Sequence, residues 1–344
     1  MAPIPFGVIG TGWITDSYIV GAHATGEWLF SAVSSRSAET GKKFAAKYAS
    51  ANPNINVHTS VEDIAADPSI TTVYIASPNS LHYSQAKTVL SAGKHVILEK
   101  PATANLKQLE ELFALAYSKN LILIEAYRHV QEANFKILKS AISTKLGAIL
   151  GARLDFCQLS SKYNDVIAGR QPQVFSRQYA AGSLVDLGVY NVSAAVDLFG
   201  SPDKVDYVPY ILPQTDGADG SGNLLLKYPT FPVNLTISKI FTSTAPAVEI
   251  YGEKGVLVAP TLTDIESVTF IPSGKNTTRE ELAGPKEPAE LNLKEEAADH
   301  ARIIQTADWE GVKKWEALSR GVVKITEAAR RQNGIVFPGQ EFEG

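Results

Sequence analysis

The 344-residue chain has a single cysteine, Cys157, and a single methionine, Met1. One thiol cannot close an internal disulfide, and without a cysteine cluster there is no zinc knuckle or iron–sulfur frame. No nucleophile signature surrounds Cys157, so it reads as a strand core residue. His23, His58, His95, His129 and His300 show no metal-ligand spacing, and no metal is expected. Basic surplus is also missing. The 32 Lys+Arg against 36 Asp+Glu leave a net charge of −4, which does not suit a phosphate backbone, so no nucleic-acid partner is expected. No run reaches the roughly 18 apolar residues a bilayer span requires, and no membrane partner is expected. Met1-Ala2-Pro3-Ile4-Pro5 leads straight into a strand without a cationic and apolar leader, so the expected location is cytoplasmic. The Asn-x-Ser/Thr triplets at Asn191, Asn234 and Asn276 are then expected to stay unglycosylated.

What is present is the composition of a folded enzyme, 44% hydrophobic and 20% charged. The length suits two domains. Through about residue 125, short β-branched runs alternate with helical stretches, the pattern of a parallel sheet covered by helices on both faces. Strands are expected at Phe6–Ile9, Leu29–Ser34, Asn56–Thr59, Thr72–Ala76, His95–Leu98 and Leu121–Glu125, and helices at Thr40–Tyr48, Ser80–Ser91 and Leu106–Ser118. In the last of these, Leu109, Leu112, Phe113 and Ala116 form a core-facing stripe. Past residue 130 longer strands follow one another, at Ala148–Leu159, Asn223–Lys227, Val233–Phe241 and Ala247–Tyr251, and suggest an antiparallel or mixed sheet. One helix, Leu184–Phe199, interrupts them. A helical stretch, Glu295–Gln332, broken near Gly311, closes the chain, and 273–290 reads as a surface loop. The expected fold is α/β, an N-terminal doubly wound parallel sheet (1–127) followed by an α+β domain with a mixed or antiparallel sheet (128–344).

Phe6-Gly7-Val8-Ile9-Gly10-Thr11-Gly12-Trp13-Ile14 is a strand, a Gly-x-Gly turn and a helix start. Gly10 would permit the turn and Gly12 would let a pyrophosphate approach the helix N-terminus, where N–H groups and the dipole favour anions. Thr15 stands where a third glycine is usual, so a plain strand-to-helix turn is the competing account; the motif's place at the start of a βαβ unit favours a dinucleotide. At the end of the second strand, Ser34-Ser35-Arg36-Ser37 has no acid for a ribose 2′-OH, and it does offer a guanidinium and hydroxyls for a 2′-phosphate. NADP is therefore expected over NAD.

Ligands of open α/β sheets sit at the carboxyl ends of the strands. Ser77-Pro78-Asn79-Ser80-Leu81-His82 ends the fourth and Glu99-Lys100-Pro101 the fifth. A partly desolvated lysine beside a cationic ring can exchange a proton near neutral pH with a substrate hydroxyl; a solvated surface charge is the competing account.

Together Gly10-Thr11-Gly12, Ser77-Pro78-Asn79…His82, Glu99-Lys100-Pro101 and Gly182-Ser183-Leu184-Val185-Asp186-Leu187-Gly188-Val189-Tyr190 resemble the glucose-fructose oxidoreductase / inositol dehydrogenase family, often called Gfo/Idh/MocA. The similarity covers most of the chain. It implies a Rossmann domain followed by an α/β domain whose open sheet mediates dimer or tetramer contacts, and it gives Lys100 an acid/base role. Asp186 and Tyr190, four apart on one helix, share a face and could hold adjacent hydroxyls while the phenol exchanges a proton. Many family members have His at position 190; Tyr190 is similar to the dimeric dihydrodiol dehydrogenase and glucose-fructose oxidoreductase branches, and this points away from inositol dehydrogenases.

The catalytic set expected is Lys100, Tyr190 and Asp186. The cofactor set is Gly10, Gly12, Trp13, Ile14, Ser35, Arg36, Ser77, Asn79, His82, Glu99 and Lys100, and Tyr163 joins Lys100, Asp186 and Tyr190 toward substrate. For His82 a capping or packing role stands beside the cofactor role. Asn164, Arg170, Arg177, Tyr179 and Glu125-Ala126-Tyr127-Arg128 read individually as structural residues, and Trp309 and Trp315 as packing anchors. The expected activity is NADP-dependent hydride transfer between nicotinamide and a secondary alcohol or carbonyl of a sugar, polyol or trans-dihydrodiol. The alternative is a non-catalytic NAD(P)-binding sensor, which would not need Lys100 and Tyr190 together.

Overall fold

A computed structural model describes residues 2–339. The chain divides into two compact units, one formed by the residues up to Arg128 with Glu287–Ser319, the other by His129–Lys286 with the residues from Arg320 on. The units are not contiguous, unlike the expected division at 127/128.

The first unit is built on six strands, β1 (Ile4–Ile9), β2 (Trp28–Ser34), β3 (Asn56–His58), β4 (Thr72–Ile75), β5 (His95–Glu99) and β6 (Leu123–Ala126). They lie in the order β3-β2-β1-β4-β5-β6, every neighbouring pair parallel. This is the dinucleotide-binding order, whose direction of winding reverses between β1 and β4. The expected stripe of helix Leu106–Ser118 is buried as read. A short helix, Val61–Ala66, went unread in the sequence; Ser60 caps it by accepting the Asp63 N–H. Segment 287–319 packs here because the first unit has a slot for it. A Cβ on Gly21 would lie 2.8 Å from the Leu293 carbonyl carbon, so only glycine lets helix Trp13–Thr25 approach so closely. The Trp28 indole N–H donates to the Ala297 carbonyl at 2.8 Å, and Leu293, Ala297 and Ala301 join the core. Trp309 and Trp315 pack against Ile122, Ile124, Ile303 and Val312. The break in the closing helices comes at Ala307–Asp308, not at Gly311: Ala307 is left-handed (φ 48°), and Asp308 accepts the Gly311 N–H at 2.9 Å to start the next helix, Trp309–Gln332.

The second unit carries β7 (Ile149–Cys157), β8 (Lys204–Ile211), β9 (Asp219–Lys227), β10 (Pro232–Ser238), β11 (Val248–Gly252), β12 (Gly255–Ala259), β13 (Thr269–Pro272) and β14 (Glu280–Glu281). The sheet order is β14-β13-β12-β11-β7-β10-β9-β8, antiparallel except for β7 with β10. Cross-strand register puts Leu154, Leu235, Leu224, Tyr207 and Val248 on one, buried face. Arg153, Asn234, Leu225, Asp206 and Glu249 lie on the other, open face. Strand β9 starts earlier than its glycine-rich sequence suggested, because Gly220 and Gly222 leave room for Leu212 and Tyr207: Cβ atoms there would meet those side chains at 2.7 and 2.5 Å. The segment expected as a plain surface loop, 273–290, contributes β14, a two-residue edge strand.

Candidate active site

In the first unit, Gly10 ends β1 at φ 107°, and a Cβ on it would lie 2.6 Å from the Ala76 carbonyl oxygen; only glycine makes this turn. Gly12 is the N-cap of helix Trp13–Thr25, with no side-chain cap and open space where a Cβ would be. The backbone therefore offers a helix N-terminus with room in front of it, which fits a pyrophosphate. Trp13 is 77% exposed beside it, whereas the Ile14 side chain packs into the core and leaves only its N–H for a ligand. Thr15, in the place of the usual third glycine, is fully buried. At the end of β2, the Ser35 N–H donates to the His58 carbonyl, Ser37 caps the next helix, and Arg36 is exposed with no ion pair among the described residues. After β4, the Ser77 hydroxyl donates to Gln85 Oε1 at 2.7 Å and Asn79 opens helix Asn79–Ser91.

His82 and Glu99 do not face outward from this edge. His82 is 1% exposed, with Nδ1 2.9 Å from the Pro101 carbonyl and Nε2 2.9 Å from the Ser77 carbonyl. Both ring nitrogens face backbone carbonyls, and the neutral ring donates its single N–H to one of the two, so it sits between two strand-end loops. Burial, helped by the Lys100 charge, lowers its pKa, although both carbonyls pull the other way. Glu99 is buried too, accepting from the Tyr74 hydroxyl at 2.6 Å and from the Lys100 N–H at 3.1 Å. Burial raises its pKa against the opposing pull of Lys100 and Arg128. Lys100 itself is half-buried at the end of β5, joined to Pro101 by a cis peptide bond.

In the second unit, the expected single helix is two, Ser183–Asp186 and Gly188–Phe199, joined through Leu187. Asp186 and Tyr190 therefore lie on two successive short helices and not four apart on one continuous helical face. Asp219 organises the start of this motif: its Oδ2 accepts from Ser183 Oγ (2.7 Å), the Leu184 N–H (2.8 Å) and the Tyr207 hydroxyl (2.7 Å). Gly182 sits against Asp219 at φ 146°. Asp186 pairs with Lys239, which is 3% exposed, donates to the Val174 carbonyl at 2.6 Å and lies 4.6 Å from the Phe175 ring centroid. Tyr163 reaches the same cluster, its ring 6.5 Å from Phe175. The Tyr190 ring stacks on Phe156 (4.9 Å, 16°) and meets His129 at 5.0 Å; His129 Nε2 donates to the Tyr190 carbonyl at 3.1 Å. Lys239, Asp219 and Phe156 went unread in the sequence, and His129 was read only as lacking metal-ligand spacing, each being remote along the chain from the residue it supports. Of the weaker candidates, Arg170 pairs with Asp165 on the surface, and Asp216 accepts the Arg177 and Gln178 N–H groups that open the turn through Tyr179. Cys157, at the end of β7, is half-buried, its thiol pushed up to about 11 by burial and by Asp155.

Residues 4–127 match the oxidoreductase family with an NAD-binding Rossmann fold, and residues 136–258 match the GFO/IDH/MocA C-terminal domain. The chain belongs to the Gfo/Idh/MocA family of NAD(P)-binding oxidoreductases. A scyllo-inositol 2-dehydrogenase (NADP(+)) of Bacillus subtilis is 37% identical over 98% of this chain and 99% of its own. The human trans-1,2-dihydrobenzene-1,2-diol dehydrogenase is 26% identical over 97% and 98%. A crystal structure of a 3-ketoreductase from Actinomadura kijaniata, holding NADP, superposes with a TM-score of 0.81 at 22% identity, covering 96% of this chain and 97% of that one. Whole-chain identity is higher to the inositol enzyme than to the dihydrodiol enzyme, so the distance from inositol dehydrogenases expected from Tyr190 does not extend to the chain as a whole. No helix among the described residues is long and apolar enough to cross a membrane.

Proposed function

We propose that this oxidoreductase uses NADP to move a hydride to or from a ring-borne secondary alcohol, with a polyol of the inositol class as the first substrate to try. The single observation behind the cofactor choice is the end of β2, where Arg36 is unpaired among the described residues and no carboxylate stands ready to repel a 2′-phosphate. The polyol choice rests on the similarity to the NADP(+) scyllo-inositol dehydrogenase. Gly10, Gly12, Trp13 and the Ile14 N–H would cradle the pyrophosphate, Ser35 and Arg36 the 2′-phosphate, and Ser77 and Asn79 the nicotinamide side. NADP, when bound, supplies the hydride acceptor or donor. The protein's own contribution is alignment and proton handling: Lys100 and Tyr190 manage the hydroxyl proton, Asp186, held by Lys239, orients a hydroxyl, and Tyr163 lines the substrate region. The open face of the second sheet exposes Val208, Tyr210 and Leu225 and is proposed as a homodimer or homotetramer contact.

The test is oxidation of scyllo-inositol with NADP+ and NAD+, followed at the reduced-nicotinamide absorbance band. Lys100→Met is expected to lower kcat by about 10²–10⁴-fold while NADPH still binds; unchanged turnover would remove Lys100 from the proton path. Arg36→Ala is expected to weaken NADPH well beyond NADH in fluorescence titrations, and equal losses would overturn the NADP assignment.

A further inference from the structure

Three buried side chains hold the backbone of the turn that carries Lys100. Glu99 accepts the Lys100 N–H at 3.1 Å, His82 meets the Pro101 carbonyl at 2.9 Å, and Glu125 Oε1 accepts the Ala102 N–H at 2.8 Å. Glu125 comes from the neighbouring strand β6, in register with Leu98 of β5, and is 2% exposed. An amide can be satisfied by any neutral oxygen, and a buried carboxyl is a costly way to do it. We propose that Glu125 is a positioning residue for Lys100: its carboxyl pins the Ala102 end of the turn, as Glu99 and His82 pin the other two peptide groups, and so fixes where the lysine is presented. This rests on the reading of Lys100 as the proton-handling group.

The groups facing Glu125 give the claim a signature beyond structure. Burial pushes its pKa up to about 7, and the Glu99 charge on β5 adds to the rise. The Ala102 N–H and the hydroxyls of Tyr127 and of Ser319, on helix Trp309–Gln332, act against it. The hydrogen bond to Ala102 needs only a lone pair on Oε1 and so survives protonation at Oε2. A glutamine keeps that acceptor and cannot titrate; a methionine of similar size loses it.

The experiment compares Glu125→Gln, Glu125→Met and Lys100→Met with the wild-type chain in three measurements: kcat for scyllo-inositol with NADP+ across a pH series, NADPH affinity, and hydrogen exchange of the Ala102 amide. Glu125→Met is expected to speed Ala102 exchange and lower kcat by about tenfold or more, as for a misplaced group, with NADPH affinity nearly unchanged. Glu125→Gln should restore slow exchange and most of kcat across the whole pH series, since the acceptor that holds Ala102 does not depend on the charge of the side chain. Wild-type exchange and turnover in Glu125→Met, equal losses in turnover and NADPH affinity, or a Gln variant no better than Met would each overturn the inference. If this alcohol is not turned over at all, the exchange result alone decides, and unchanged Ala102 exchange in Glu125→Met sinks it. Normal turnover in Lys100→Met would defeat the reading of Lys100 instead, whatever Ala102 does.

Discussion

At position 182 the backbone runs at φ 146° and a Cβ would come within 2.1 Å of Asp219 Oδ1. The same aspartate accepts three hydrogen bonds that hold the start of the Asp186 helix. Gly182→Ala must displace that carboxylate or twist the chain, and the expected cost is about 3 kcal/mol or more, adding left-handed strain to overpacking. Chemical denaturation measures it; a loss under about 1 kcal/mol would show that Asp219 can retreat freely. Gly10 and Gly182 were both legible as glycines in motifs. The partner that makes Gly182 obligatory was not, because Asp219 lies 37 residues further on. Asp186 was read correctly as a carboxylate on a helix in this motif, but its buried cation, Lys239, sits on a different strand end and leaves no local mark.

The returning helix Lys294–Thr306 brings His300, fully buried, against Tyr18, whose hydroxyl lies 3.3 Å from His300 Nδ1. Burial depresses the imidazole to about 4 from an ordinary 6.5. The folded chain therefore refuses a proton that the unfolded chain takes up between those values. Stability that His300 permits is complete above about pH 6.5 and lost as pH falls toward 4, by about 3 kcal/mol for the full shift. Glu125 works in the opposite sense: held near 7 in the fold against an ordinary 4.5, it costs stability as pH rises from 4.5 to 7. The two slopes oppose each other, so the wild-type curve alone does not show His300. The expected result is that the stability difference between wild type and His300→Asn narrows from pH 7 to pH 4.5; a difference independent of pH would mean the imidazole is not shielded as the packing implies. At this scale the six parallel strands and helix Leu106–Ser118 were readable from their periods. The helix break was misplaced by four residues because Gly311 is the more obvious breaker, whereas Asp308 does the capping.

For the whole molecule, the open face of the second sheet mixes exposed apolar Val208, Tyr210 and Leu225 with polar Asn234, Arg153 and Glu249. An exposed apolar patch with a polar surround is the form of a protein contact. Light scattering is expected to give two or four times the chain mass, and Val208→Lys with Tyr210→Glu to reduce it to one; a wild-type monomer at micromolar concentration would remove the contact.

The sequence by itself determined the parallel doubly wound sheet, the glycine turn, the missing acid after β2 and the position of Lys100, because each rests on strand period, turn chemistry or a motif contained within a few residues. Tertiary structure decided the rest: that 287–319 packs on the first unit, that His82 and Glu99 face inward, that Asp186 leans on Lys239 and Tyr190 on Phe156 and His129, and that Glu125 holds the turn at Ala102. Those are contacts across tens to hundreds of residues, where specificity lies in the close packing and satisfied polar groups of a finished interior, and no local stretch of sequence contains both sides of such a contact.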